Sequence, residues 1–233
     1  GADFRIDKRN TLNVDLKCIL PRNNLKQDLL NTFSGYGSQS QENRHNDVTW
    51  NRENVEAVVA YRHVIRPDVS DVSVRGSVSK IWGHRPSYYY LNDQKTGYSH
   101  SGGSPFIANA QVDYKHKFNA GTLSAGAKLT YRHNEIFHEF YQADGDGWTN
   151  SYELSNDLDH TVRLPSAYVM FGSRLGKNFT YKAGVRTEFS YLSMSSVHNG
   201  VTEKVVTPFF LPSLSASYKL SDKQSLDFAL SRR

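Results

Sequence analysis

Cysteine is almost absent from this 233-residue chain. The single Cys18 excludes an intramolecular disulfide framework and any cysteine-based zinc site. It falls in the alternating run Leu12, Val14, Leu16, Cys18, Leu20 and reads as a small apolar residue on a strand face. Long apolar runs are missing too. Nothing approaches the ~18 consecutive apolar residues of a membrane helix, and the run around 55–61 is already broken by Glu56. The chain opens on Gly-Ala-Asp-Phe, without the basic-then-apolar pattern of a secretory signal, so a processed form or an internal piece is expected. No Gly-x-Ser-x-Gly, His-Glu-x-x-His or phosphate loop occurs, and the expectation is a protein that is not an enzyme. The net charge of +5 is scattered, with Arg232-Arg233 as its longest cluster. Phosphate neutralisation needs a concentrated basic patch, so no nucleic-acid partner is expected.

What the chain does have is aromatic residues, 12% of the total, beside a mean hydropathy of −0.61. An ordinary core would bury aromatics among many Leu and Ile. A barrel wall reconciles the two values, since half of each strand faces lipid and half a polar lumen. Period-2 alternation recurs accordingly. Tyr181, Ala183, Val185, Thr187, Phe189 and Tyr191 interleave with Lys182, Gly184, Arg186, Glu188 and Ser190, and only a strand separates two such sets onto opposite faces. The same pattern runs through 55–62, 106–115, 123–132, 212–220 and 225–231, with 11–20 and weaker candidates at 70–82 and 162–175. Each is read as long enough to cross a bilayer when tilted, for which about 9–11 residues suffice. Short turns are expected near Ile65–Asp68, Asn119–Gly121, Gly176–Asn178 and Ser221–Lys223. Long polar loops are expected at 21–48, 83–105, 134–161 and 193–206. Strict short–long alternation puts every long connection at one end, as in an outer-membrane barrel. Aromatics gather near strand ends (Trp50, Tyr61, Trp82, Phe106, Tyr114, Tyr131, Phe179, Tyr181, Tyr191, Phe209, Phe210, Tyr218), as interface girdles require.

The fold expected is therefore all-β: an antiparallel up-and-down meander, a partial segment of about nine or ten strands from a transmembrane β-barrel. Residues 1–233 form one β-barrel segment without an internal domain boundary. The location implied is the bacterial outer membrane, with lipid as a partner. A soluble all-β binding module with an apolar interior is the alternative, although its strands would be shorter.

The run Phe210-Leu211-Pro212-Ser213-Leu214-Ser215-Ala216-Ser217-Tyr218-Lys219-Leu220-Ser221-Asp222-Lys223-Gln224-Ser225-Leu226, ending in Leu230-Ser231-Arg232-Arg233, resembles the C-terminal half of TonB-dependent receptors. It is closer still to the outer-membrane receptor β-barrel family common in Bacteroidetes. Asp7-Lys8-Arg9-Asn10-Thr11-Leu12 is similar to that family's periplasmic turn, and Gly184-Val185-Arg186-Thr187-Glu188 resembles its recurring Gly-Leu-Arg-x-Glu strand. The resemblance implies a barrel of about 22 strands around an N-terminal plug. It also implies nutrient import driven by the TonB complex, and a small-molecule, glycan or siderophore ligand. The plug and the remaining strands are not part of these 233 residues. A structural or adhesive outer-membrane protein, gripping a partner through its long loops, is the other function considered.

Two candidate sites stand out. His84, Arg85, Tyr88, Tyr89, Tyr90 and Tyr98 make 83–105 aromatic and basic, suited to stacking on a sugar or an aromatic siderophore. Asp144 and Asp146, flanked by Gly145 and Gly147, offer the hard oxygens that Ca²⁺ favours. Trp148 stands where an EF-hand would place its third ligand, and a solvated acidic turn is the competing reading. No cofactor beyond that candidate Ca²⁺ is expected. His133 and His138, five residues apart, fit neither one strand face nor one helix face as a chelating pair.

Overall fold

A computed structural model describes residues 1–35 and 38–232. Its elements are β1 (Ala2–Arg5), β2 (Asn10–Ile19), β3 (Arg22–Gly35), β4 (Ser38–Arg66), β5 (Ser70–Leu91), β6 (Gln94–Gly103), β7 (Phe106–Phe118), β8 (Gly121–Asp144), β9 (Gly147–Asn150), β10 (Asn156–Leu175), β11 (Phe179–Ser196), β12 (Val201–Ser221) and β13 (Gln224–Ser231). One 3-10 turn covers Tyr152–Leu154. All thirteen strands join one sheet, ordered β1-β2-β4-β5-β6-β8-β10-β11-β12-β13, with β3, β7 and β9 attached beside that path. Every pairing is antiparallel between strands adjacent along the chain or separated only by a broken one.

The thirteen strands make ten lines across the sheet. The register of β2 on β4 carries straight on into that of β3 on β4. The break at Leu20-Pro21 removes an N–H while the Pro21 carbonyl still accepts from Arg52 N at 3.2 Å. Ser104-Pro105 interrupts β6 and β7 in the same way, yet their common partners β5 and β8 see no shift. The meander of nine or ten strands expected from the sequence is thus the observed one.

One element of the expectation needs correction. Most of the segments expected as long polar loops are paired strand. Residues 22–35 and 38–51 form one long hairpin, and 83–91 and 94–103 another, closed by Asn92 and Asp93 at positive φ (48° and 65°). At 193–206, β11 and β12 remain paired to a tip at 197–200. In 134–161 only the hairpin tip at 145–146, the 3-10 turn and its flanks leave the ladder. Polar residues on both faces erase the alternation, but backbone hydrogen bonding does not depend on it. The opposite ends are tight, as expected: Asp7 accepts from Arg9 N at 2.6 Å and Asn10 N at 2.9 Å, which closes its turn and holds the Asp7 carboxyl below the usual range.

No hydrophobic side chain is buried among the described residues. Val59, Val74, Val112, Leu129, Val169, Phe189 and Phe210 are all exposed, at 41–59%. Register places them on one face of the sheet. A soluble barrel or sandwich buries that face; here only lipid can cover it. The other face is a hydrogen-bonded polar surface. Thr130 Oγ1 donates to Asn109 Oδ1 (2.8 Å), whose Nδ2 donates to Ser77 Oγ (3.1 Å). Arg186 Nη2 donates to Glu188 Oε2 at 2.8 Å and to Ser166 Oγ at 3.2 Å, so these two charges, an i, i+2 pair on one face of β11, bond to each other. Tyr168 reaches past Gly126 to donate to Asp113 Oδ1 at 2.7 Å. A Cβ on Gly126 would meet Tyr168 at 2.5 Å and Asp113 at 2.6 Å, so only glycine allows that crossing.

Aromatics mark both borders of the apolar face. Phe106 packs edge-on against Tyr131 at 6.1 Å on the long-hairpin side, and Phe179 stacks with Tyr181 at 6.2 Å on the short-turn side. Trp50 and Phe209, expected in the girdle, lie instead on the polar face, because β4 and β12 present them in phase with Asn54 and Leu211.

Candidate site at the mouth of the lumen

Above the aromatic border the polar face of β4–β8 carries an open groove of about 380 Å³. Its floor is bare backbone. Gly83 and Gly103 sit opposite each other on β5 and β6, and a Cβ on Gly83 would meet nothing closer than 3.8 Å. The space over Gly83 exists because it has no side chain, whereas a Cβ on Gly103 would meet the Glu135 carbonyl oxygen at 2.9 Å. Trp50, Arg52, Arg85 and His138 supply a ring system, two guanidinium groups and an imidazole around that floor, with Ile81 and Ile136 as apolar wall. Asn134 Oδ1, also at the wall, is a buried acceptor without a hydrogen-bond partner. An unpaired buried acceptor is costly, and a donor on a bound molecule would satisfy it. Two fixed cations beside a flat indole suit an anionic ligand with a planar or apolar part.

The sequence-level ligand group is divided by alternation. Arg85 and Tyr89 face the polar side, where Tyr89 approaches Ser99 Oγ at 3.2 Å and Phe140 at 5.6 Å. His84, Tyr88, Tyr90 and Tyr98 face the opposite way. There Tyr98 meets Tyr88 at 5.0 Å, Tyr141 at 5.9 Å and Trp148 at 6.4 Å. Lys95 Nζ lies 4.3 Å from the Tyr88 ring centre, and His84 stacks on His100 at 5.7 Å. Burial, reinforced by the neighbouring tyrosines, pushes the Tyr98 hydroxyl above the usual phenol range. Of the six, the groove takes Arg85 and the edge of His84. Trp50, Arg52, Asn134 and His138 were missed. They come from two other strands, β4 and β8, and only register brings them together.

Asp144 and Asp146 lie exposed at the two-residue tip joining β8 and β9. Asp144 accepts from Thr149 Oγ1 at 3.3 Å. Among the described residues the one group of three or more ligating side chains lies elsewhere: His133, Glu135 and Asp159.

Residues 85–233, well over half of the sequence, match the outer membrane protein beta-barrel family. The chain belongs to that family. This outer-membrane β-barrel chain matches no curated protein. Its fold is similar to that of several solved receptors. The ferric citrate transporter FecA, in its unliganded form, superposes with a TM-score of 0.63 at 14% identity, over 94% of this chain and 33% of that one. The ferric-catecholate import receptor Fiu of E. coli K12 gives 0.59 at 9%, over 94% and 46%. BauA, the ferric preacinetobactin receptor of Acinetobacter baumannii, gives 0.52 at 10%, over 94% and 42%. The β-barrel chain thus spans between a third and just under half of those structures, and the likeness is one of fold.

Proposed function

We propose that this chain is part of the wall of a TonB-dependent import receptor, whose plug and further strands complete the barrel, and that it contributes an anion-binding wall to the ligand site. The observation that carries this reading is the glycine-floored groove on the lumen side, with Arg52, Arg85 and an unpaired Asn134 Oδ1 around it. The open sheet supports it. Among the described residues β1 and β13 each have one neighbour, and lipid tolerates no unpaired edge, so more strands must complete the wall. The structurally similar receptors take up ferric chelates, and an anionic metal chelate suits the groove chemistry. Catalysis has no part in this reading.

Uptake of radiolabelled iron as ferric citrate and as a ferric catecholate tests the proposal in cells with and without the intact receptor. Uptake of one of them should require both the receptor and TonB, and should fall with Arg52→Ala and with Gly83→Val, which fills the floor. Receptor-dependent uptake that ignores both variants would overturn the site. Uptake of both chelates that ignores the receptor would overturn the function.

A further inference from the structure

A second cluster lies on the opposite face of the sheet, one rung above the aromatic border. Residues 123, 125, 127, 129 and 131 of β8 point outward to lipid, and alternation carries the same face on to His133 and Glu135. On β10, Asp159 stands directly across from Glu135, and Thr161 across from His133. His133 Nδ1 lies 3.0 Å from Thr161 Oγ1 and 3.6 Å from Asp159 Oδ1, while its Nε2 lies 3.4 Å from Glu135 Oε1. One ligating atom from each of His133, Glu135 and Asp159 falls within 4.8 Å of the others.

We propose that His133, Glu135 and Asp159 form a cross-strand site for a divalent cation of the Zn²⁺ class on the outward surface of β8 and β10. An imidazole with two carboxylates is a mixed nitrogen–oxygen donor set, which suits a borderline divalent ion. Strand geometry supplies the spacing: i and i+2 on one strand and the residue opposite i+2 converge on one side of the sheet. The imidazole lies between the two carboxylates with a different ring nitrogen nearest each, so a bound ion takes one nitrogen and draws the far carboxylate round to it. Further ligand positions are open. Thr161 offers a hydroxyl, and the site is accessible, with the three side chains 26%, 63% and 47% exposed. Outer partners hold the set in place, since Ser104 Oγ donates to Glu135 Oε2 at 3.0 Å. Lys80, a cation close enough to act on Glu135, donates to the Ser104 carbonyl at 2.8 Å. Bound metal would tie β8 to β10 where the wall leaves the lipid. The site shares no residue with the lumen groove, so it stands or falls independently of import.

Zn²⁺ affinity of the intact receptor in detergent, measured at neutral pH by competition with a chromophoric chelator, tests the site. One equivalent should bind. His133→Ala and Glu135→Gln should each weaken it by at least the roughly 10–100-fold that loss of an outer-shell partner costs. Asp144→Asn should leave it unchanged. Should His133→Ala fail to fold, the exposed Glu135→Gln decides. Absence of a stoichiometric Zn²⁺ site, or affinity unaltered by Glu135→Gln, overturns the proposal and leaves the cluster as an ion-pair network.

Discussion

Strand β8 can be compared with itself on either side of Tyr131. Below it, Leu123, Ala125, Ala127 and Leu129 alternate with Ser124, Gly126, Lys128 and Thr130. Above it, outward positions are His133, Glu135, Phe137, Glu139 and Tyr141, and inward ones Asn134, Ile136, His138 and Phe140. The hydrogen-bond ladder with β10 does not change at the border; one register runs from Thr122–Gly172 to His138–Asn156. What changes is the solvent on the outer face, from lipid to water. Pairing is therefore a property of the whole strand, and amphipathicity belongs only to its membrane-spanning half.

That contrast is most exposed to charge. Val185→Arg, on the outward face of β11 near the middle of the apolar band, should disfavour insertion into lipid by about 2–4 kcal/mol. Ser193→Arg, on the same strand and face but above the border, should cost close to nothing. Arg186→Val, one residue from Val185 on the polar face, should also barely alter insertion. Reversible folding of the intact protein into bilayers reads all three. Equal costs at 185 and 193 would erase the border, and equal costs at 185 and 186 would erase the faces.

A smaller effect sharpens the upper half. Asp157 closes the β11–β12 tip by accepting from His198 N at 2.8 Å, Val197 N at 3.1 Å and Ser196 Oγ at 3.2 Å. These donors, the His198 N–H foremost, hold its carboxyl below the usual range. The folded value being the lower one, stabilisation of the tip is complete above the ordinary carboxylate range and fades as pH falls through the folded value. Amide-exchange protection at Val197 and His198 should follow that course. In Asp157→Asn it should be weaker at neutral pH and flat through the acidic range. A wild-type profile without pH dependence would show that the carboxylate does not hold the tip.

The same comparison explains what could be read from the sequence. Ala183, Val185, Thr187 and Phe189 announce a strand because lipid imposes alternation. Arg22–Gly35 and Tyr88–Leu91 do not, because water accepts polar residues on both sides, and they read as loops. Asn92-Asp93 was an available hairpin signal, since both residues tolerate positive φ. The candidate site suffered most. Treating 83–105 as a loop put Arg85 and Tyr88 together, whereas three residues along a strand is the opposite face. Trp50, Asn134 and His138 join Arg85 only through register across β4, β5, β6 and β8, which no local pattern encodes. The His133–Glu135–Asp159 cluster was hidden likewise, half of it visible as an i, i+2 pair and half across the ladder.

The central claim, that one face of this sheet meets lipid and the other a polar lumen, is tested most directly by spin labels placed singly at residues 183–189 of the intact protein in bilayers. Collision with oxygen, which concentrates in lipid, should be high at 183, 185, 187 and 189 and low at 184, 186 and 188. Uniform oxygen accessibility along the segment, or maxima at the even positions, would contradict the account.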